Sequence, residues 1–426
     1  MQLALEDRDK RVIWHPFTQM LKRPFLPCLV KGEGAYVYDT EGAAYLDACS
    51  SWWTNLHGHC HPRIVEAMQR QCGKLSHASF GDATHVPAIA LAERIISLLP
   101  AGFEKVFYSN SGSEAVETAL KMAVQFFYNR GEARKAIVCL TGSYHGDTFG
   151  AMSASARTQF NAPFKPLLFH AECIQAPLPG QEKLAIQQLK HVLEKEQAAG
   201  FIFEPIIQGA SGMLMMNPAA LDELLGLCHE KGVVSIADEV MTGFGRTGKI
   251  FAIEHLKEVP DIICLAKGLT GGALPLSITA CRLEIFNAFL SEKREHALLH
   301  GHTYAANPIA CAAALASLDL LQTQDCQQKI AAICRGQADF VKKWRGHPAF
   351  NRCESFGTIL ALEYRTGNSY DYESPLRDSL HGYFLRHGVL MRPLGNTLVL
   401  VPPYCISTED LARIHNLIEK SLEEVS

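Results

Sequence analysis

The chain has no large excess of charge of either sign and no long apolar run. Its 426 residues carry 40 Lys and Arg against 44 Asp and Glu, a net charge of −4. A sequence-independent nucleic-acid binder normally carries a basic excess. A transmembrane helix needs about 18 or more consecutive apolar residues, and the sequence contains no such run. We therefore expect neither nucleic acid nor membrane as a partner.

Cysteine is frequent, but paired cysteine motifs are lacking. The 14 cysteines form no C-x-x-C pair, and several lie in apolar runs, such as Cys139 in AIVCL, where a thiol packs as a small hydrophobic group. This pattern favours a reducing compartment over a disulfide framework. The segment MQLALEDRDKRVIWHPF has charges where a signal peptide needs an apolar core. We therefore expect a cytoplasmic protein.

Short apolar runs alternate with helical patterns through the middle of the chain. Such nearly continuous runs are typical of strands that are buried on both faces of a parallel sheet. A helix is predicted over 114–129, with Ser111 and Ser113 as candidate N-caps. The predicted strands are 105–108, 136–140, 201–204, 233–238, 262–266 and 276–280. The alternation predicts an α/β fold with a mostly parallel central sheet flanked by helices.

The two ends of the chain show other patterns. The first fifty residues contain a hairpin pattern with its turn at 39–42. The C-terminal part predicts helices at 326–344, 376–387 and from Thr408, with strands at 358–364, 389–392 and 398–401. We therefore predict three parts: an N-terminal segment, 1–50, that packs with the small domain; a large cofactor-binding domain, 51–320; and a smaller α+β domain, 321–426.

Two ionisable residues follow apolar strands at the edge of the sheet where ligands bind. Asp238 ends VVSIAD, and Lys267 follows IICLA. Partial burial lowers the pKa of a lysine and suits it to a Schiff base, and an aspartate can hold the pyridine N–H of pyridoxal phosphate. A solvated lysine beside a structural acid is the alternative.

Two loops of the same region are candidates for cofactor binding. SNSGSEAVETALKMA, residues 109–123, offers helix N-terminal amides and serine hydroxyls to a phosphate, although simple N-capping explains the same serines. GSYHGDTFGA, residues 142–151, places Tyr144 where its ring either stacks on a planar cofactor or packs in an ordinary turn.

A glycine cluster suggests a nucleotide site, but the details are against it. TGFGRTGK contains G-x-G-x-x-G from Gly243 to Gly248, yet acidic residues separate it from the preceding strand and no clean helix follows. Ile250 stands where a P-loop has Ser or Thr.

A histidine cluster raises the possibility of a metal site. HGHCHP places His57, His59 and His61 at alternating positions. Carboxylates or a second cluster at conventional spacing do not accompany it, so turn histidines are favoured and no metal is predicted.

Two aromatic residues and one arginine are candidates for a substrate pocket. Trp52 and Trp53 are adjacent, so they cannot both face a core from a regular strand, and one of them is a candidate lining residue. Ordinary core and edge packing is the alternative. Arg392 follows a predicted strand, and its planar fork suits a carboxylate, although a lone arginine is also a common surface cation.

Six segments, in chain order, resemble the successive signatures of class-III aminotransferases. They are SNSGSEAVETALKMA, YHGDTFGA, EPIIQGASGM, ADEVMTGFGRTGK, PDIICLAKGLTGG and HGHTYAANPIACAAA. The resemblance covers nearly the whole chain. It implies PLP fold type I, pyridoxal phosphate as cofactor, ping-pong transamination and a homodimer with shared active sites. It also removes the nucleotide interpretation, because the glycine cluster belongs to one of these signatures.

The resemblance implies roles for individual residues. Lys267 is implied to bond to the cofactor and to move protons at the substrate carbon, Asp238 to bind the pyridine nitrogen, and Tyr144 to lie against the ring. Thr303 is implied to reach the phosphate from the partner subunit. The implied cofactor-binding residues are Gly112, Ser113, Tyr144, Asp238, Lys267, His302 and Thr303.

Four segments, IWHPFTQM, SSWWTNLHGHCHP, HGHTYAANP and MRPLGN, resemble the branch of this family that aminates 8-amino-7-oxononanoate in biotin biosynthesis, with S-adenosylmethionine as donor. Arg392 is implied to take the distal carboxylate of the acceptor. The implied substrate-binding residues are Phe17, Trp52, Trp53, Tyr144, Gly301 and Arg392.

Position 17 departs from that branch. The best-known users of adenosylmethionine have Tyr where this sequence has Phe17, and some relatives with an HPFTQM-like segment use lysine as donor. We expect S-adenosylmethionine as the donor. Lysine as donor, or a different class-III ω-aminotransferase activity, is the alternative.

Overall fold

The computed structural model describes residues 4–22, 25–158, 160–195, 197–366 and 370–424. The N-terminal part contains an antiparallel three-stranded hairpin unit whose 39–42 turn lies where the sequence predicts it. Asp39 fixes this turn, because its Oδ1 accepts the amide hydrogens of Glu41 and Ala43 at 3.0 and 2.9 Å. The elements are α1 Leu5–Val12, β1 Leu29–Glu33, β2 Tyr36–Asp39, β3 Ala44–Asp47 and the single turn α2 Ser50–Trp53, with a 3₁₀ turn at Met20–Lys22.

The middle of the chain alternates strands and helices. Its elements are α3 Pro62–Cys72, α4 Val86–Leu98, β4 Phe103–Ser109, α5 Gly112–Asn129, β5 Ala136–Leu140, α6 Phe149–Ser153, β6 Glu172–Ile174, α7 Glu182–Lys195, β7 Ala198–Phe203, β8 Ile207–Gln208, β9 Leu214–Met215, α8 Pro218–Glu230, β10 Val234–Asp238, β11 Ile262–Leu265, β12 Ser277–Arg282, α9 Leu283–Asn287 and α10 Pro308–Leu321. Short 3₁₀ helices lie at Ala162–Leu167, Ala252–His255, Lys267–Thr270 and Arg294–His296.

Seven of these strands form the central sheet, in the order β4-β12-β11-β10-β7-β5-β6. The strands run parallel to one another except β12, which is antiparallel to both of its neighbours. The prediction of a mostly parallel α/β sheet is therefore confirmed. β7 begins at Ala198, three residues before the predicted start. Ala198, Ala199 and Gly200 lack the β-branched side chains that mark a strand in a sequence.

Helix α5 packs on this sheet and presents its N-terminus to the carboxyl ends of the strands. Its buried stripe includes Val116, Ala123 and Phe127, as the apolar spacing predicts. The helix begins at Gly112, two residues before the predicted start. Ser111, not Ser113, is its N-cap, because the Ser111 hydroxyl accepts the amide hydrogen of Glu114.

The C-terminal part forms a second, smaller sheet covered by helices. Its strands β13, β14 and β16 are antiparallel, and β15 instead pairs in parallel with β3, which joins the C-terminal part to the N-terminal segment. β13 is absent from the sequence prediction, because NRCES carries too few apolar residues to mark a strand. The elements are α11 Gln324–Trp344, β13 Phe350–Phe356, β14 Ile359–Tyr364, α12 Leu376–Arg386, β15 Val389–Leu390, β16 Thr397–Leu400 and α13 Thr408–Glu424.

None of the helices within the described ranges is both long and apolar enough to cross a membrane.

The β13–β14 turn docks the small sheet onto the loop that follows β10. The Thr358 amide donates to the Arg246 carbonyl at 2.9 Å. Gly357 is in the left-handed region, with φ +59°, and an added Cβ there would overlap the backbone of Arg246 and Thr247.

We predict that Gly357→Ala lowers the thermal unfolding midpoint more than Gly131→Ala does. Gly131 also has a positive φ, +75°, but open space surrounds the position of its Cβ. Both substitutions therefore share a backbone cost of about 1–2 kcal/mol, and only Gly357→Ala adds the overlap, at about 1–3 kcal/mol. Equal midpoints for the two variants, measured by thermal scanning, would contradict the docking role of the turn.

Candidate active site

A cavity of about 450 Å³ lies at the carboxyl ends of the parallel strands, which is where α/β sheets bind ligands. Asp238 ends β10, and Lys267 lies two residues beyond the end of β11. The structure therefore brings this predicted pair into one cavity. Its lining also includes Trp53, Gly112, Ser113, Tyr144, His145 and Glu204.

Lys267 has a strained backbone and a perturbed amine. Its φ is +43°, in the left-handed region that non-glycine residues seldom adopt. Burial lowers the pKa of the Lys267 ammonium, and the nearby carboxylates of Asp238 and Glu204 oppose that shift in part. The Nζ atom lies 5.0 Å from the centroid of the Trp53 ring. The amine is therefore held in an apolar surrounding that favours its uncharged, nucleophilic form.

Asp238 is buried and held by two donors. Its Oδ2 lies 2.7 Å from His145 Nδ1, and its Oδ1 accepts the Val240 amide hydrogen at 3.1 Å. His145 Nε2 is buried without a partner among the described residues. His145 is a residue that the sequence places on the right loop without giving it a role. Its contact joins two segments about 90 residues apart, and that contact is invisible in local sequence.

The N-terminus of α5 faces the same cavity. The first amides of a helix have no intrahelical acceptor, so those of Gly112 and Ser113 are free to bind an anion. A Cβ on Gly112 would lie 2.6 Å from Val240 Cγ1, and one on Gly146 would overlap the Ser113 side chain. The backbone at these two glycines thus approaches neighbouring side chains too closely for a Cβ.

These features together fit pyridoxal phosphate. The amides and hydroxyl at the start of α5 suit its phosphate, the buried Asp238 suits a protonated ring nitrogen, and the Lys267 amine suits its carbonyl carbon. Tyr144 lines the cavity on the loop after β5, as expected for a ring neighbour.

Glu204 is a cavity residue that the sequence analysis missed. It is buried, and its carboxylate accepts the amide hydrogens of Tyr144 at 3.0 Å and Gly209 at 2.8 Å. Burial, the largest cause, raises the pKa of Glu204 to about 7. A signal was present, because an acid after the apolar run FIF repeats the pattern of Asp238 after VVSIA.

The predicted substrate residues cluster on one side of the cavity. Trp53 is 8% exposed and lines both this cavity and an adjoining one of about 260 Å³, which Trp52 and Arg392 also line. The Arg392 guanidinium lies 4.7 Å from the Trp52 ring centroid, and its Nη2 donates to the Phe17 carbonyl at 3.3 Å. The Phe17 and Trp52 ring centroids are 5.4 Å apart.

Three predicted residues lie apart from the cavity of their own chain. Gly301 and Thr303 are exposed. His302 Nε2 lies 3.7 Å from Glu114 Oε2, beside the first turn of α5. Their predicted role depends on a second subunit and stays a prediction.

Two of the three histidines of HGHCHP have structural partners. His57 Nε2 is 3.1 Å from Ser317 Oγ, and His59 Nε2 is 3.0 Å from Asp47 Oδ2. Across the described part of the chain, His, Cys, Asp and Glu side chains form no group of three or more that could hold a metal ion.

Comparison with known proteins identifies the family. The class-III aminotransferase family model matches residues 18–422, so the chain belongs to that family and is a pyridoxal-phosphate-dependent transaminase. The adenosylmethionine-8-amino-7-oxononanoate aminotransferase of Synechococcus elongatus is 41% identical over 425 residues, which cover 97% of this chain and 99% of that protein.

Solved structures agree with this assignment. The enzyme of the same name from Methanocaldococcus jannaschii superposes with a TM-score of 0.94 at 36% identity, covering 99% of this chain and 98% of that chain. The omega transaminase from Pseudomonas jessenii, solved in complex with PMP, has a TM-score of 0.91 at 26% identity, with 99% and 98% coverage. The predicted PLP fold type I is therefore confirmed.

We predict that Glu204→Gln becomes more stable relative to the native protein as pH rises. Burial raises the pKa of Glu204 from 4.5 to about 7, so its contribution to stability is complete below about pH 4.5 and is lost as pH rises through about 7. Glutamine has no such loss. The difference in unfolding free energy should therefore shift towards the variant by up to about 3 kcal/mol between about pH 5 and 8.

The measurement is the thermal unfolding midpoint of both proteins across that pH range. Glu230→Gln, at the exposed end of α8, is the control and should track the native protein at every pH. A Glu204→Gln difference that does not vary with pH would contradict a raised pKa.

Proposed function

We propose that this chain transfers an amino group to 8-amino-7-oxononanoate in biotin biosynthesis, with S-adenosylmethionine as the amino donor. The observation that carries the proposal is that the Lys267 cavity and the cavity lined by Trp52 and Arg392 share Trp53 as a wall. A keto acid with a long apolar chain needs apolar walls and one distant cation. The full-length similarity to proteins named for this acceptor supports the same substrate.

In this proposal the large domain supplies the cofactor site. Bound pyridoxal phosphate supplies the electron sink for the carbon that loses a proton. Gly112 and Ser113 would hold the phosphate with their amides and hydroxyl, and Asp238 would hold the proton on the ring nitrogen. His145 keeps the Asp238 carboxylate in place at 2.7 Å, and Tyr144 would lie against the ring.

Lys267 moves the proton. Its lowered pKa leaves more of the amine unprotonated near neutral pH, so Nζ could take a proton from the substrate carbon and deliver it to the carbonyl carbon of bound pyridoxal phosphate. The Trp53 ring, 5.0 Å from Nζ, keeps water away from this atom.

Arg392 fixes the far end of the acceptor. Its guanidinium lies over Trp52, 4.7 Å from the ring centroid, and this contact preorganises it, while its remaining N–H groups bind the distal carboxylate. Phe17 and Trp52 pack along the apolar chain between the two charged ends.

We further propose a homodimer in which Gly301, His302 and Thr303 serve the partner's cavity. The exposure of Gly301 and Thr303 supports this. So does an apolar groove of about 680 Å³ beside the cavity, lined in part by Tyr304 and Ile309. A cytoplasmic location is proposed from the cysteines, all 14 of which are free thiols.

The second candidate keeps the acceptor and takes lysine as donor. It rests on Phe17, whose ring touches Trp52 and Phe160 but carries no hydroxyl. With phenylalanine at position 17, a polar donor lacks the hydrogen bond that the hydroxyl of a tyrosine would offer.

We predict that the visible absorbance of the cofactor bound to Lys267 fades on addition of S-adenosylmethionine and persists with lysine. The donor half-reaction changes the cofactor itself, so it needs no acceptor. The measurement is the absorption spectrum of the loaded protein before and after each addition.

Two variants control this experiment. Lys267→Ala should lack the band, and Phe17→Tyr should raise the rate of fading with S-adenosylmethionine if position 17 governs the donor. Fading with lysine alone would show that lysine, and not S-adenosylmethionine, is the amino donor. A band that neither compound alters would leave a transaminase with other substrates, and a protein that takes up no pyridoxal phosphate would overturn the proposal.

We predict that Arg392→Ala raises KM for 8-amino-7-oxononanoate by about 10–100-fold, because a charge-assisted hydrogen bond contributes about 1.5–3 kcal/mol. The value of kcat should change by less than about threefold, since the contact is the same before and during reaction. Steady-state kinetics against the keto acid are the measurement.

Arg386→Ala, on the exposed face of α12, is the matched control and should leave KM unaltered. An acceptor analogue without the carboxylate should not distinguish Arg392→Ala from the native enzyme. A large loss on that analogue as well would show that Arg392 does not act through the carboxylate.

A further inference from the structure

We propose that Cys139 and Cys173 form a reversible thiol–disulfide pair, in which a small-molecule disulfide oxidises the exposed Cys173 and the buried Cys139 then completes a bond between β5 and β6. The inference is independent of the proposed substrates. Cysteine spacing cannot indicate this pair, because the positions 139 and 173 are 34 residues apart. The fold alone brings them together.

The strand register places the two thiols side by side. β6 pairs in parallel with β5, and Cys139 lies directly opposite Cys173 in that pairing. Directly opposite residues of neighbouring strands have their side chains on the same face of the sheet. Adjacent strands are about 4.8 Å apart, which lies within the Cα separation of about 4.4–6.8 Å that a disulfide spans. A bond between these sulfur atoms is therefore compatible with the existing pairing of the strands.

The two thiols differ in access, because β6 is an edge strand and β5 is not. Cys139 is 1% exposed and belongs to an apolar cluster with Phe127 of α5 and Ala151 of α6. Cys173, on the edge, is exposed. A dissolved oxidant can thus reach Cys173 but not Cys139. This asymmetry suits Cys173 as the attacking cysteine and Cys139 as the resolving cysteine.

The surroundings favour the thiolate form of Cys173. The Cys139 thiol, as a hydrogen-bond donor, lowers the pKa of Cys173 most, and the Arg157 guanidinium lowers it further, against the opposing effect of burial. Arg157 is fixed by carbonyl groups, since its Nη1 donates to Met152 O at 3.1 Å and its Nη2 to Phe169 O at 2.9 Å. Because the thiolate is the nucleophile, Cys173 reacts before its partner.

The reaction balances with oxidised glutathione, a small disulfide, as the oxidant. The Cys173 thiolate attacks one sulfur of the oxidant, whose S–S bond breaks, and one glutathione leaves and takes up the proton that Cys173 had lost. The Cys139 thiol then gives up its proton and attacks the Cys173 sulfur, and the second glutathione leaves with that proton. The protein is oxidised to a disulfide, and the oxidant is reduced to two thiols. Cytoplasmic disulfides are typically transient bonds of this kind.

The bond secures the shortest strand of the central sheet. β6 has three residues and pairs only with β5. The backbone hydrogen bonds of such a short edge strand open readily. A covalent link to β5 opposes that opening, and the loop that it closes, 139–173, contains the cofactor-site residues Tyr144 and His145.

The test treats the native full-length protein with oxidised glutathione and maps its disulfides by mass spectrometry of peptides. We expect two peptides joined through Cys139 and Cys173, and their separation on addition of dithiothreitol. We also expect amide hydrogen exchange over Glu172–Ile174 to slow by about threefold or more in the oxidised protein.

Two variants separate the steps of the reaction. Cys139→Ala should stop at a mixed disulfide of Cys173 with glutathione, because the resolving thiol is missing. Cys173→Ser should leave Cys139 reduced, because the oxidant cannot reach a buried thiol, and this exposed substitution keeps the test available if Cys139→Ala does not fold. Cys28→Ser removes a different exposed thiol and is the matched control, which should form the bond with the yield of the native protein.

Three results would overturn the proposal. One is a mixed disulfide that persists on Cys173 of the native protein while Cys139 stays reduced. Another is a Cys139–Cys173 bond that forms only after the protein is unfolded in urea. The third is oxidation of Cys139 at an undiminished rate in Cys173→Ser. None of these measurements uses turnover, so a failure of the proposed acceptor or donor would leave them unaffected.

Discussion

The active site depends on the parallel register of β10 and β11. Asp238 lies opposite Cys264 in that register, so Lys267, three residues further along, extends beyond the end of the sheet into the same cavity. The serine-rich start of α5 closes the other side. Because the sheet fixes all three positions, an acid, an amine and the N-terminus of a helix meet without any of them being held by a flexible loop.

Burial shifts the pKa values of the ionisable groups in this cavity, lowering that of the base and raising that of the acid. It lowers the pKa of Lys267 and raises the pKa of Glu204, so each group is moved towards its neutral form. His145 and the Val240 amide hold the Asp238 carboxylate directly. An amine whose uncharged form is favoured, beside a carboxylate held in place, suits proton transfer at carbon.

The sequence predicted those features that local patterns encode. Apolar runs located the long strands and α5, and residues at strand ends identified Asp238 and Lys267. The three-residue strand β6 and the polar strand β13 were not predicted, because neither carries enough apolar residues to mark a strand. The left-handed turn at the tryptophans and the hydrogen bond from Arg246 to the Trp53 carbonyl were not predicted either. SSWW contains none of the residues that favour such a turn, and 191 or more residues separate the atoms that stabilise it.

The two halves of the site have different origins in the chain, and this has a consequence for specificity. The residues around Lys267 lie at the ends of the central strands and at the start of α5, whereas Phe17, Trp52 and Arg392 lie outside that sheet, before α3 and after β15. The substrate half can therefore change while the sheet is retained. The omega transaminase from Pseudomonas jessenii keeps the fold at a TM-score of 0.91 with only 26% identity. The turn that carries the tryptophans is joined to the loop after β10 by buried contacts, because Arg246 Nη2 donates to Trp53 O and Asn55 O, and these contacts connect the two parts of the site.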